Sequence, residues 1–118
     1  MAALLAKGVS SRANTVPAST ALYMATLGAA RALNLDDRIG SIVPGKLADL
    51  IAVDLDTLPL SPVYHPLSHL IYAAARHDVT HVWVAGRLVL DRGRLTTLDE
   101  SALRAKARAW QARIAELA

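Results

Sequence analysis

Residues Leu50-Ile51-Ala52-Val53 form a continuous apolar run between two carboxylates, Asp49 and Asp54. A run this short and unbroken fits a strand covered on both faces rather than one that alternates between core and solvent. Such a strand needs neighbours on both edges and a layer on each side. The rest of the chain offers little that could supply them. Val79 to Val84 is strand-like, Ala85-Gly86 reads as a turn, Arg87 to Leu90 returns, and Asp91-Arg92-Gly93 turns again into Arg94-Leu95. The 50–53 run therefore asks for a sheet larger than this sequence can build.

The 118 residues fit a single domain, and 53% of them are hydrophobic, but only 4% are aromatic and there is no Phe. Much of the apolar share is Ala, which buries little area, so the core available to the chain alone is thin. There is no Cys, which excludes disulfides and thiolate metal sites and fits a reducing cytoplasm. The segment Met1 to Lys7 lacks the basic start of a signal peptide, and Lys7 and Gly8 break its apolar run. No apolar run reaches the roughly 18 residues of a membrane span. The net charge is +3, and the excess lies in one C-terminal helix without interleaved aromatics, so neither nucleic acid nor membrane is an expected partner.

Helices are expected over four segments. Residues 2–7 read as a helix without a cap at its start, stopped by Gly8. Ser19 or Thr20 caps a second, running to Leu33 on a stripe of Leu22, Ala25, Ala29 and Leu33, with Asn34 at its end. Pro66 opens a third over 66–75, with His65 at the cap. Thr97-Leu98-Asp99-Glu100 has the spacing of a capping box and opens the fourth, which runs to Leu117. Its residues Leu103, Ala107, Trp110, Ile114 and Leu117 recur in steps of four and three and share one face.

Each functional motif has a plainer reading that outweighs it. Gly40 to Leu47 comes close to a phosphate-binding loop. However, Leu47 replaces the hydroxyl, Pro44 removes a loop N–H, and a strand follows where a helix should. Its glycines serve a turn feeding the 49–53 strand. The pairs His65/His69 and His77/His81 have zinc-like i, i+4 spacing. Yet Pro66 pushes His65 out of helical geometry, and an extended 77–81 segment would hold its two histidines about 13 Å apart. Asp36 and Asp37 read as loop solvation or local capping, and Asp49 as a partner for backbone or a nearby cation. No catalytic, cofactor-binding or metal-ligating residue is assigned to this chain.

Two stretches carry a resemblance. Ile39-Gly-Ser-Ile-Val-Pro-Gly-Lys-Leu-Ala-Asp-Leu-Ile-Ala-Val-Asp54 is similar to a C-terminal signature of the amidohydrolase superfamily, and Val82-Trp-Val-Ala-Gly-Arg-Leu-Val-Leu-Asp-Arg-Gly-Arg94 to its V-x-V-x-G-[KR] hairpin. His65 to Ala74 looks like the helix that family places before the hairpin, and Ala25 to Leu33 like its final barrel-side helix. With the Leu-Thr-Thr-Leu-Asp-Glu tail, the set resembles the 5-methylthioadenosine/S-adenosylhomocysteine deaminases, in the branch shared with triazine hydrolases.

The resemblance implies an α/β fold class. The chain would be the C-terminal fragment of a metal-dependent hydrolase, holding the last helical part of a (β/α)₈ barrel and part of a composite β-sandwich. Alone it would be mixed α+β, with three to four helices and three to four short strands. Residues 1–38 would be the terminal barrel helices, 39–97 the sandwich part with an inserted helix, and 98–118 an amphipathic C-terminal helix. The implied activity is hydrolytic deamination of adenosine-like nucleosides by a metal-bound hydroxide, usually on zinc. The alternatives are guanine, cytosine or triazine substrates, or a non-catalytic interaction module. The family's metal ligands all precede the segment matched here, so none falls on a residue of this sequence. The implied partners are the N-terminal barrel and sandwich strands of the parent enzyme, a nucleoside bound only by the full-length form, and a possible second copy in a homo-oligomer.

Overall fold

The computed structural model describes residues 2–116. In chain order these form α1 (Ala2–Ser10), α2 (Ala18–Ala25), α3 (Leu27–Ala32), β1 (Leu50–Val53), α4 (Pro66–Tyr72), β2 (Val79–Val84), β3 (Arg87–Asp91), β4 (Arg94–Leu95) and α5 (Glu100–Ala115). Short 3₁₀ turns occupy Leu58–Leu60 and Arg76–Asp78. The described residues are thus mixed α and β, with one helix more than the sequence suggests.

The extra helix comes from a break. The expected 20–33 helix divides at Thr26, whose backbone leaves helical geometry at φ −124° and ψ −103°. Its hydroxyl donates to the Leu22 carbonyl at 2.7 Å, the local bond by which Ser and Thr compete with the helix ladder. The loop after α3 fills the break. Gly40, at φ +86°, comes so close that an added Cβ would lie 2.7 Å from Ala30 Cβ and 3.0 Å from Leu27 Cα. The start of α2 also differs from expectation. Pro17 stands at the N-cap and no side chain caps the helix, because Ser19 and Thr20 already lie inside its first turn.

Helix ends follow backbone chirality. Gly8 does not stop α1. Its helical φ is one any residue can adopt, and the left-handed position falls instead on Ser11 at φ +52°. There Arg12 N donates to Lys7 O and Ser11 N to Gly8 O, each at 3.3 Å, a Schellman closure. Asn34, at φ +59°, closes α3 in the same way, with Leu35 N on Ala30 O at 2.9 Å and Asn34 N on Arg31 O at 3.0 Å. Helix α4 begins at Pro66 as expected and ends at Tyr72, short of residue 75.

The four strands form one antiparallel sheet in the order β1-β2-β3-β4. Both tight turns need positive φ at two successive residues, Ala85-Gly86 at +49° and +79° and Arg92-Gly93 at +46° and +78°. These are the angles of primed hairpin turns, whose twist suits the flanking strands. Asp49 Oδ1 accepts the Ala85 N–H at 2.7 Å, and Ala48 O accepts Gly86 N at 3.0 Å, so the β2–β3 turn is pinned to the entrance of β1. Ile51 pairs with Val82, and the register shifts between Ala52 and Val53.

The strand expected to be covered on both faces is not covered among the described residues. β1 pairs only with β2, its outer edge is open, and Ile51 is 61% exposed. Among the described residues only Ala3, Ala30, Leu60 and Asp78 are buried. The accessible surface is 9277 Å², whereas a compact protein of this mass would expose about 6200 Å². The radius of gyration is 18.9 Å, against about 13.5 Å for a compact domain of this length. The elements are well formed, but they enclose almost no interior of their own.

The last helix starts on a different cap from the one its sequence suggests. Asp99, not Thr97, is the N-cap, and its Oδ1 accepts Ser101 N at 2.9 Å, Ala102 N at 3.1 Å and the Ser101 hydroxyl at 2.7 Å. Glu100 therefore sits in the first helical position, where its carboxylate reaches back to Leu95 N and forward to Arg104. The expected end at Leu117, and that residue's place on the apolar face, lie outside the described residues.

Candidate functional site

The four histidines do not converge. His65 has extended backbone at φ −133° and ψ 90°, as the following proline requires, and its carbonyl oxygen lies 3.2 Å from His69 Nδ1. His69 Nδ1 is thus turned to the backbone of its own helix start. His77 lies in the 3₁₀ turn with Nε2 3.6 Å from Asp78 Oδ1, while His81 lies in β2 with Nε2 3.2 Å from Asp91 Oδ1. His81 also stacks on Trp83 at 5.6 Å between ring centres and contacts the Thr80 hydroxyl at 2.9 Å through Nδ1. That arrangement fixes a strand side chain in place. Among the described residues no three His, Asp or Glu side chains gather where they could hold a metal ion. A single histidine beside a single carboxylate does not meet zinc's need for three or four ligands, so these residues do not fit a zinc site.

The phosphate-loop lookalike is occupied by its own lysine. The Lys46 ammonium donates to the carbonyls of Asp36 and Ile39 and, at 2.8 Å, to the Ser41 hydroxyl. It acts as a clamp across the 36–46 loop and presents no charge to a ligand. Asp36 receives Arg31 Nε at 3.4 Å, and the Arg31 guanidinium is held above its usual pKa, first by its bond to the Tyr23 hydroxyl and then by Asp36. Asp49 is spent on the hairpin turn. Asp78, which no sequence motif marks, is buried. Its Oδ2 accepts Ala75 N at 2.8 Å, and its carbonyl accepts Asp54 N at 2.8 Å, joining the 3₁₀ turn to the end of β1. The signal for it was local: a short acidic side chain three residues after a turn start, where it can satisfy a free N–H.

Two concave surfaces among the described residues are apolar. One groove of about 610 Å³ runs between α1, α2 and α4, lined among others by Ala3, Leu4, Val16, Met24, Ile71 and Tyr72. A second, of about 540 Å³, lies between α2, α4 and the exposed side of β1, with Leu22, Ile42, Leu47, Leu50, Val53 and Leu70 along it. Neither contains convergent polar groups of the kind that orient a small substrate.

Known proteins of similar sequence and structure fit this picture. The amidohydrolase family profile matches residues 1–89. A 5-methylthioadenosine/S-adenosylhomocysteine deaminase of Saccharophagus degradans is 45% identical over 113 residues, which are 96% of this chain but only 25% of that protein. The crystal structure of an adenosine deaminase from Xanthomonas campestris with bound zinc superposes with a TM-score of 0.88 at 53% identity, covering 98% of this chain and 26% of the other. A zinc-complexed atrazine chlorohydrolase from Arthrobacter aurescens superposes over 80% of this chain and 21% of its own, with a TM-score of 0.71 at 27% identity. This chain therefore spans about a quarter of the length of the relatives it matches. With the profile running from the first helix into β3, the chain belongs to the amidohydrolase family.

Proposed function

We propose that this chain is the C-terminal part of a metal-dependent amidohydrolase that hydrolytically deaminates adenosine-like nucleosides, 5-methylthioadenosine and S-adenosylhomocysteine being the substrates suggested by its relatives. One observation carries the reading: the match runs along 96% of this chain yet takes up 25% of the Saccharophagus deaminase. In this reading the barrel and its zinc belong to the part of the enzyme that precedes these residues. The chain's own contribution is mechanical. It supplies apolar grooves and an open strand edge against which the catalytic part is held in shape. The absence of Cys suits a cytoplasmic enzyme.

A chimera tests this directly. The matched quarter of the Saccharophagus deaminase is replaced by this chain, and ammonia release from 5-methylthioadenosine is measured. Retained activity supports the reading. A folded, zinc-loaded chimera with no turnover of either nucleoside would overturn the reading that this chain serves as the C-terminal part of such a deaminase. The chlorohydrolase likeness, at 27% identity, makes triazines the control substrates.

A further inference from the structure

The helix α5 presents an unusual combination: a strong local signature and no neighbour. Its residues are all exposed, including Leu103 at 57%, Trp110 at 53% and Ile114 at 62%. No other element of the described chain packs substantially against it. Yet the Xanthomonas structure superposes on 98% of this chain, an extent that takes in α5. A helix held in the same place in a relative, without support from its own quarter of the polypeptide, is held by something outside that quarter.

The sequence of α5 limits what that something can be. In heptad terms Leu103 and Trp110 occupy d, and Ala107 and Ile114 occupy a, which makes a seam of two turns or more. The flanking e and g positions carry Arg104, Gln111, Lys106 and Arg113, with no carboxylate among them. Arg104 pairs with Glu100 at 3.4 Å, while Arg113 lies over the Trp110 ring at 4.7 Å, extending the seam with a cation. A second α5 would bring basic flank against basic flank, which opposes pairing. An apolar groove with carboxylates along its rim would match both the seam and the flanks.

We propose that α5 docks into such a carboxylate-rimmed apolar groove on the catalytic part of its own parent polypeptide, with Trp110 as the central anchor. This rests on the reading that the chain is one part of a longer amidohydrolase. The partner is the parent rather than a second copy, because the two grooves, the β1 edge and the α5 seam all lack cover. The rest of the parent, by its relatives about three times the length of this chain, could cover all of them at once.

The test uses the chimera described above. Reversing the rim charges (Lys106→Glu with Arg113→Glu) should lower its melting temperature by at least about 2 °C in low salt. The gap should narrow as added salt screens the pairs, and turnover per folded enzyme should be unchanged. Trp110→Ala should lower the melting temperature by a similar amount at any salt concentration. The proposal is overturned if neither variant moves the transition. It is equally overturned if sedimentation shows a dimer that the reversal splits, which would make a second subunit the occupant. Co-sedimentation with phosphatidylserine-containing vesicles, abolished by the reversal, would overturn it in favour of a membrane surface. A chimera that responds as expected but releases no ammonia would sink the reading of this chain as the C-terminal part of a working deaminase and leave the docking standing.

Discussion

The hairpin region of residues 79–95 and the helix α5 are both legible as local structure, but they differ in what holds them. In the hairpins each strand finds its backbone partners within a few residues, and two turns with paired positive φ angles fix the register. Most side chains of β2 are half-buried as a result. Helix α5 has a charged cap, a continuous apolar face and an i, i+4 ion pair, yet it is bare along its whole length. Hydrogen bonds and turn chemistry shape a segment from within. Burial, the dominant stabilising term, must come from a partner. An isolated helix of this length is marginal in water.

The comparison breaks most completely if this chain carries out chemistry without a partner. The purified 118-residue protein is expected to release no ammonia from 5-methylthioadenosine or S-adenosylhomocysteine, with or without added zinc. Chelator-sensitive release would show that a site exists here. Dialysed protein should likewise hold well under one equivalent of zinc by elemental analysis. A tight equivalent lost on replacing His65 and His69 with Ala would mean that the histidine geometry described above rearranges around metal.

Stability comes next. The chain exposes about 3000 Å² more than a compact protein of its mass, and β1 offers an open edge beside Ile51, Ile42 and Leu47. Exposed apolar edges template association. The isolated chain should therefore self-associate or melt over a broad range, and Ile51→Lys should reduce the association seen by sedimentation. A sharp monomeric transition above about 60 °C, near the top of the usual mesophile range, would show a self-sufficient domain.

What could be read in advance follows the same division. The strand positions, both hairpin turns, the Asn34 stop and the start at Pro66 were legible, because each depends on the φ preferences of one or two residues. The break at Thr26 was not, because it depends on Gly40 approaching from fourteen residues away. The cap at Asp99 is not legible, because Thr97 and Asp99 both satisfy the local pattern, and only the actual turn shows which side chain meets the free N–H groups. The resemblance named the family, and from it came the expectation that the chemistry lies elsewhere. No local pattern shows what covers the grooves, since nothing among the described residues does.

Two glycines separate close approach from backbone strain. Both have positive φ, +86° at Gly40 and +93° at Gly45, but an added Cβ at Gly45 meets nothing within 4 Å. In the active chimera, Gly45→Ala should cost only its left-handed backbone, about 1 kcal/mol. Gly40→Ala adds a collision with Ala30 and Leu27 and should cost roughly 2–4 kcal/mol. Denaturant midpoints measure both. Equal costs would mean that the α2–α3 break is not held by the loop.

The smallest effect concerns the cap of α5 and sharpens the contrast between local and tertiary support. The Asp99 carboxyl is held below its usual pKa, first by the Ser101 hydroxyl and then by the N–H groups of Ala102 and Ser101. These bonds favour the charged form, so the folded helix binds this proton more weakly than the unfolded chain does. The cap's contribution is therefore complete above the ordinary Asp range and is lost as pH falls through the lowered value. In the 118-residue chain, the carbon chemical shifts of Ser101 to Arg104 should move toward coil on acidification, while those of Trp83 and Leu88 in the hairpin should not follow the same curve. Asp99→Ala should give the acid-like shifts at neutral pH and abolish this pH dependence, and Asp99→Asn, which keeps an accepting oxygen, should restore most of the helical shift. If the hairpin and the helix instead titrate together in the wild-type chain, α5 has tertiary support within these residues, and the division drawn between the two regions fails.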